Sequence, residues 1–186
     1  MKPINTLLAL LFISLLSSPS WSATMDDLVQ REGIYYEKFT DVPYSGEVTG
    51  NKQGSLKSGK KDGTWNYYWD NGQLLNKGNY KNGKQEGGWI WYWDNGQLWY
   101  KGNYKNGQKQ DASVQFYNNG QLWSKGNYKS GKKEGAWYSY LNNGQLEYKG
   151  NYKNGKKEGA WVSYDENGTL VSMLTGTFKD GTKISD

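Results

Sequence analysis

The sequence predicts an all-β chain: an elongated, single-layer antiparallel meander of stacked β-hairpins. Three observations lead there. Asn-Gly pairs recur at Asn71-Gly72, Asn95-Gly96, Asn119-Gly120, Asn143-Gly144 and Asn167-Gly168, each 24 residues after the last. A fixed period of roughly 20–50 residues marks a stacked repeat architecture. Strand-forming residues flank each pair, as in TWNYYW before Asn71. The composition is 16% aromatic, with 10 Trp, 16 Tyr and 25 Gly and a mean hydropathy of −0.97. Rings that carry a polar handle suit a thin, half-wet sheet better than a thick dry core.

The elements follow in order. Lys2, the apolar run LLALLFISLL (7–16) and the segment SSPSWSA (17–23) read as a signal peptide over 1–22. Small residues at Ser20 and Ser22 place the cut after Ser22, and the chain is expected in the periplasm or outside the cell. Removing 1–22 lowers the net charge from +5 to +4, a mildly basic balance that argues against nucleic acid as a partner. Residues 23–52 read as a cap or a tether, with a short helix expected at 25–31.

Residues 53–186 form the repeat array. A degenerate copy at 53–62 precedes five copies at 63–86, 87–110, 111–134, 135–158 and 159–183. In the first full copy, TWNYYW is one strand and QLLNKGNY the return strand. Asn71-Gly72 joins them, because Asn-Gly readily takes positive φ at both turn positions. Asn82-Gly83 then turns the chain toward the next copy, giving about eleven short strands in all. The last copy departs: Leu170 to Gly176 is two residues longer than Leu146 to Gly150, as expected of a terminal repeat that caps a stack.

Column by column, scaffold separates from decoration. Leu74, Gly78 and Tyr80 and their equivalents share parity, so they are assigned, with the Tyr68 column, to the buried face. The Gly column lets a ring lie flat on the backbone. Trp65, Trp89, Trp137 and Trp161 recur at the opposite parity from Tyr68. Either a bulge shifts the register there or they pack on the far face.

The unit G-x-W-x-x-Y-x-x-N-G-Q-L-x-x-K-G-N-Y-K-N-G-K-x-x-G resembles the MORN repeat, closest to the bacterial variant found in YwqK-family antitoxins. The resemblance covers roughly 53–183. It implies a twisted sheet of hairpins, and roles in membrane-lipid contact, protein scaffolding or toxin neutralisation.

His and Cys are absent, so the usual bases, nucleophiles and soft metal ligands are missing. Neither catalysis nor a cofactor is expected. Glu86, Glu134 and Glu158, preceded by Asp62, read as solvated turn charges beside lysines. Lys77, Lys101 and Lys125 lie at the exposed parity, where they either keep the sheet soluble or meet an anionic ligand. The aromatic residues Tyr67, Trp69, Trp91, Trp93, Trp99 and Trp123 are concentrated in the first copies, and later copies replace them with Ser, Asp or Glu. An exposed aromatic patch marks a binding surface; cross-strand packing is the alternative. Together these nine residues form the expected ligand-binding face of an exported scaffold. A protein is the expected partner, with anionic lipid, cell-wall glycan or a cognate toxin as alternatives. The oligomeric state is left open.

Overall fold

A computed structural model describes residues 22–186; of the expected signal peptide at 1–22, all but Ser22 lies outside the described residues. The copies build a continuous meander. Each first strand, β6 (Lys60–Tyr68), β8 (Lys84–Tyr92), β10 (Gln108–Phe116), β12 (Lys132–Tyr140) and β14 (Lys156–Ser163), is followed by a return strand. The returns are β7 (Leu74–Lys81), β9 (Leu98–Lys105), β11 (Leu122–Lys129), β13 (Leu146–Lys153) and β15 (Gly176–Lys179). With β1 (Ala23–Thr24), β4 (Gly46–Thr49), β5 (Lys52–Lys57) and β16 (Thr182–Ser185) they make one sheet of 14 strands. That exceeds the eleven expected, because the ends contribute strands of their own.

Two kinds of turn alternate. Between copies, Asn82 and Gly83 take φ of 51° and 79°, the paired positive values of a two-residue hairpin turn. Within copies the geometry differs from expectation, because Gly72 alone of its pair has positive φ. The Gly72 amide donates to the Trp69 carbonyl at 2.9 Å, and the Trp69 amide to that of Gln73 at 2.8 Å. This is a type I turn closed by a left-handed glycine. Asn71 serves it through its side chain, accepting the Gln73 amide at 3.0 Å.

A bulge decides the faces. In the β7–β8 pair, Lys77 lies opposite Ile90 and Asn79 opposite Glu86, so Gly78 alone faces Gly87, Gly88 and Trp89. Those two extra residues leave side-chain parity unchanged, and Trp65 lies directly opposite Gly78 in the β6–β7 ladder, so the Trp column shares the Gly78–Tyr80 side. The bulge that changes parity is Leu75, between the Tyr67–Asn76 and Tyr68–Leu74 pairs. Trp65, Trp89, Trp137 and Trp161 are the buried centre of the array, none more than 3% exposed. A methyl group at Gly78 or Gly126 would overlap the indole of Trp89 or Trp137. The expectation that Leu74, Tyr80 and Tyr68 form the buried face is corrected to that extent: they are half-buried, and the tryptophans lie deepest. Each indole donates back across the sheet, Trp89 to Asn79 O at 3.1 Å and Trp137 to Asn127 O at 3.0 Å. Tyr80, Tyr128 and Tyr152 meet the next Trp edge to face at 4.9 to 5.1 Å, a geometry worth about 0.5–1.5 kcal/mol per pair.

Copy three is the irregular one. Ser113 stands in the Trp column and Asp111, with φ 60°, in the column of left-handed glycines. Tyr100 swings over Gly102 to fill the space.

The two ends are closed differently. Residues 25–31 are a 3₁₀ turn at Met25–Asp27 and the strand β2 (Leu28–Arg31), not a helix. β2 pairs with β3 (Ile34–Glu37). Leu28, Tyr44, Val48 and Leu56 pack with Trp65 into one cluster, so the N-terminal segment covers the first indole. At the other end, the inserted residues form a 3₁₀ turn at Ser172–Leu174 in place of the early return strand.

Candidate functional site

Alternation along each strand, with the bulge included, gives the sheet two unlike faces. The nine residues singled out in the sequence divide between them. Tyr67 and Trp91 lie on the face of the buried indoles, with Trp65–Tyr67 ring centroids 6.0 Å apart and Trp89–Trp91 5.2 Å apart. Trp69 and Trp93 fasten one copy to the next: their indoles donate to Tyr92 O at 3.4 Å and Phe116 O at 3.1 Å. Trp99 packs on Trp93 at 5.0 Å, and Trp123 stacks on Tyr117 at 5.5 Å. All six aromatic residues are half-buried. The reading of one shared aromatic and lysine face is therefore corrected. Lys77, Lys101 and Lys125 are exposed on the opposite face, because the one-residue bulge at Leu75, Trp99 and Trp123 puts each lysine on the side of Leu74 and Tyr68 or their equivalents, away from Gly78 and Tyr67.

The gradient of aromatics also has a packing reason. In the Tyr67 column, Gln115 accepts a hydrogen bond from Ser124 Oγ at 2.8 Å, and Ser139 Oγ donates to Glu147 at 2.6 Å. Later copies thus replace ring contacts with hydrogen-bonded pairs. The acidic column has a role that the sequence reading missed. Glu86, Glu134 and Glu158 accept the backbone amides of Asn106, Asn154 and Asp180 at 2.8, 2.8 and 3.0 Å. Each carboxylate caps the turn of the following copy. Asn71, Asn95 and Asn119 do the same at the other edge, donating to the Asp94, Asn118 and Asn142 carbonyls at 2.9 to 3.0 Å.

A second set of lysines belongs to the frame. Lys61, Lys109, Lys133 and Lys157 sit over the rings of the aromatic face, with Nζ 4.3 to 4.7 Å from the nearest centroids. Burial pushes the Lys61 ammonium down to about 8. Its partner Tyr67, which accepts from Lys61 Nζ at 2.6 Å, is pushed up by burial and by its hydrogen bond to Tyr80. Between pH 8 and 10 the unfolded chain keeps a Lys61 proton that the folded chain has released, so stability should rise with pH there. Above pH 10 the tyrosines, whose folded values are raised, reverse the trend. Burial lowers Lys109, Lys133 and Lys157 in the same sense. Urea titrations at pH 7 and 9.5 should therefore show this rise, and Lys61→Gln, the residue that copy two carries at Gln85, should reduce it without removing it.

The opposite face holds a groove of about 830 Å³ that runs across the strands from Thr64 to Tyr138. A second hollow of about 480 Å³, also lined by Ala136 and Tyr138, continues it to Val162. Small residues, Gly88, Ala112, Ala136 and Ala160, leave it open. One row alternates by register: Lys77 opposite Ile90, Ile90 opposite Lys101, Lys101 opposite Val114, Val114 opposite Lys125. Lys125, Tyr138, Lys149 and Val162 continue it. A parallel row carries the amides of Asn79, Asn103, Asn127 and Asn151. The lysines of this row are separated by apolar side chains, so they do not face one another. Among the described residues, the ion pairs are Arg31–Asp41 and Lys183–Asp186, and none involves these four lysines.

A family model described as MORN repeat variant matches 61–82, 85–106, 113–130, 133–154 and 157–179, more than half of the chain. Its third match starts late, at 113, past the irregular bulge of copy three. No curated protein matches the chain. A solved structure, "Crystal structure of GtfA/B complex bound to UDP and GlcNAc", is similar over 72% of this chain at 15% identity and a TM-score of 0.22. The chain spans 24% of that protein's length.

Proposed function

Because the chain belongs to the MORN repeat variant family, we propose that it is an exported, non-enzymatic scaffold that binds an envelope component through its lysine groove. The observation that carries this is the row Lys77, Lys101, Lys125 and Lys149, without an ion pair among the described residues and repeated once per copy along an open groove. Lys125 also lies 5.3 Å from the Tyr138 ring centroid. The aromatic face, tied into the frame by ring contacts and hydrogen bonds, is the rigid support of that surface. Export is in keeping with Ala23, the first residue after the expected cut, being where the first strand starts. Intact mass of the protein recovered from its own cell should then begin the chain at Ala23.

The test of binding uses residues 23–186, immobilised and exposed to an extract of the cell envelope. A variant with Lys77, Lys101, Lys125 and Lys149 changed to Gln should lose the captured component. A second variant, with Lys105 and Lys129 changed to Gln at the turns, should keep it. Equal capture by the first variant would exclude the groove. The bacterial antitoxin subtype of the family would announce itself as one stoichiometric protein in the eluate, released together with the groove lysines.

A further inference from the structure

The groove has a chemical period as well as a charge. Stacked strands lie ~4.8 Å apart, so successive groove lysines are separated by roughly 10 Å, and the four span about 30 Å. Each period offers one ammonium, one Asn amide and one apolar side chain, as in Lys101, Asn103 and Val114. Within the amide row, Gly88, Ala112 and Ala136 stand opposite Asn103, Asn127 and Asn151, so the floor there is backbone and small side chains.

Resting on the reading of the groove as a binding surface, we propose that its ligand is a linear acidic polysaccharide carrying a carboxylate on alternate sugars, one disaccharide per copy. A β-linked disaccharide is about as long as one copy is deep. The ammonium takes the carboxylate, the amide pairs with ring hydroxyls, and Ile90, Val114 or Tyr138 covers the C–H face of a sugar. Aromatic and aliphatic cover combined with a few oriented polar groups is the usual make-up of a small-molecule subsite. Other polyanions fit the spacing less well. Nucleic acid presents a charge every ~3.4 Å along a strand, about three per lysine. An extended peptide alternates its faces every ~3.3 Å, so acids spaced at 10 Å would point alternately into and away from the groove.

The test is calorimetric titration of residues 23–186 with hyaluronan and heparosan oligosaccharides of one to six disaccharides at low salt. Affinity should rise with each disaccharide up to four and then level off. Lys101→Gln with Lys125→Gln should weaken octasaccharide binding at least tenfold, with circular dichroism unchanged. The Lys105→Gln, Lys129→Gln variant should bind as the parent does. Carboxyl-reduced oligosaccharides should not bind, and half-molar NaCl should abolish binding. Failure of both octasaccharides to bind overturns the proposal. So does equal binding of poly-L-glutamate, or of phosphatidylglycerol vesicles that the octasaccharide cannot displace. If no polysaccharide binds yet the lysine variant still loses envelope capture, the groove stands and only its polysaccharide ligand falls. If capture is also unchanged, both fall.

Discussion

Trp89→Ala should cost the array about 3–5 kcal/mol, the loss expected for removing a buried aromatic side chain. Trp89 is 1% exposed, its indole lies on Gly78, and it touches Tyr80, Trp91 and Tyr104. Its Nε1 hydrogen bond to Asn79 O is lost as well. Gly78→Ala should be destabilising for the converse reason: the new methyl needs the volume that the indole fills, and overpacking costs about 1–3 kcal/mol. Both changes act on one contact, so the two costs should not add. The double variant should be more stable than the sum predicts by at least about 1 kcal/mol, because the methyl enters space that the indole has left. Urea denaturation of the four proteins measures this directly. A single loss should also divide the transition, since a repeat array is held by neighbour-to-neighbour interfaces and the β7–β8 junction lies inside the sheet, with strands on both sides of it. Strict additivity would show that the indole and the glycine are not partners.

Repairing copy three should stabilise the protein by about 2 kcal/mol, at the upper end of what an engineered change commonly gives. Tyr100 is 5% exposed, and its buried hydroxyl makes no well-formed hydrogen bond, with only the Tyr104 hydroxyl beside it; a buried hydroxyl left unpaired costs up to about 1–3 kcal/mol. Asp111 is held in the left-handed region that other copies give to glycine, a conformation that disfavours a side chain by about 1 kcal/mol. The positions 24 residues on show the alternative, with Ser124, Gly135 and Trp137. Tyr100→Ser, Asp111→Gly and Ser113→Trp, made together, rebuild that arrangement. The new indole would cover Gly102 and donate to the Asn103 carbonyl, as Trp137 does to Asn127 O at 3.0 Å. Ser113→Trp alone should be destabilising, because Tyr100 already occupies the space over Gly102. Thermal unfolding should place the triple variant above the parent and the single variant below it. The reverse order would mean that Tyr100 is a better cover for Gly102 than an indole.

How much of this was legible in the sequence varies by residue. Asn82-Gly83 was readable as a turn because the preference for positive φ resides in those two residues. Asn71-Gly72 was readable as a turn but not as its type, since a neighbouring hydrogen bond to Gln73 selects that. The role of Glu86 was not readable, because its partner, the Asn106 amide, is 20 residues away and reached only through the stack. A signal for it was present in retrospect: an acid or amide stands there in every copy, at Asp62, Glu86, Gln110, Glu134 and Glu158. The aromatic gradient was visible as a pattern, but its packing role, in ring contacts and inter-copy hydrogen bonds, was not. Trp69 and Trp93 looked dispensable because later copies lack them, yet they carry inter-copy hydrogen bonds that Tyr117 provides in copy three, through its hydroxyl to Tyr140 O at 2.9 Å.

The sequence by itself determined the period, the hairpins, the order of the copies and the tie between glycine and a flat ring. All are properties of neighbouring residues repeated. Only the tertiary structure decided which face each column occupies. Side-chain parity holds along a regular strand, and the bulge at Leu75, between the Tyr67–Asn76 and Tyr68–Leu74 pairs, breaks it with one extra residue that is invisible until two strands are paired. The equivalent bulge at Trp99 left Trp91 and Tyr100 on the supporting face and Lys101 with Tyr92 and Leu98 on the groove face, turning a single expected surface into two.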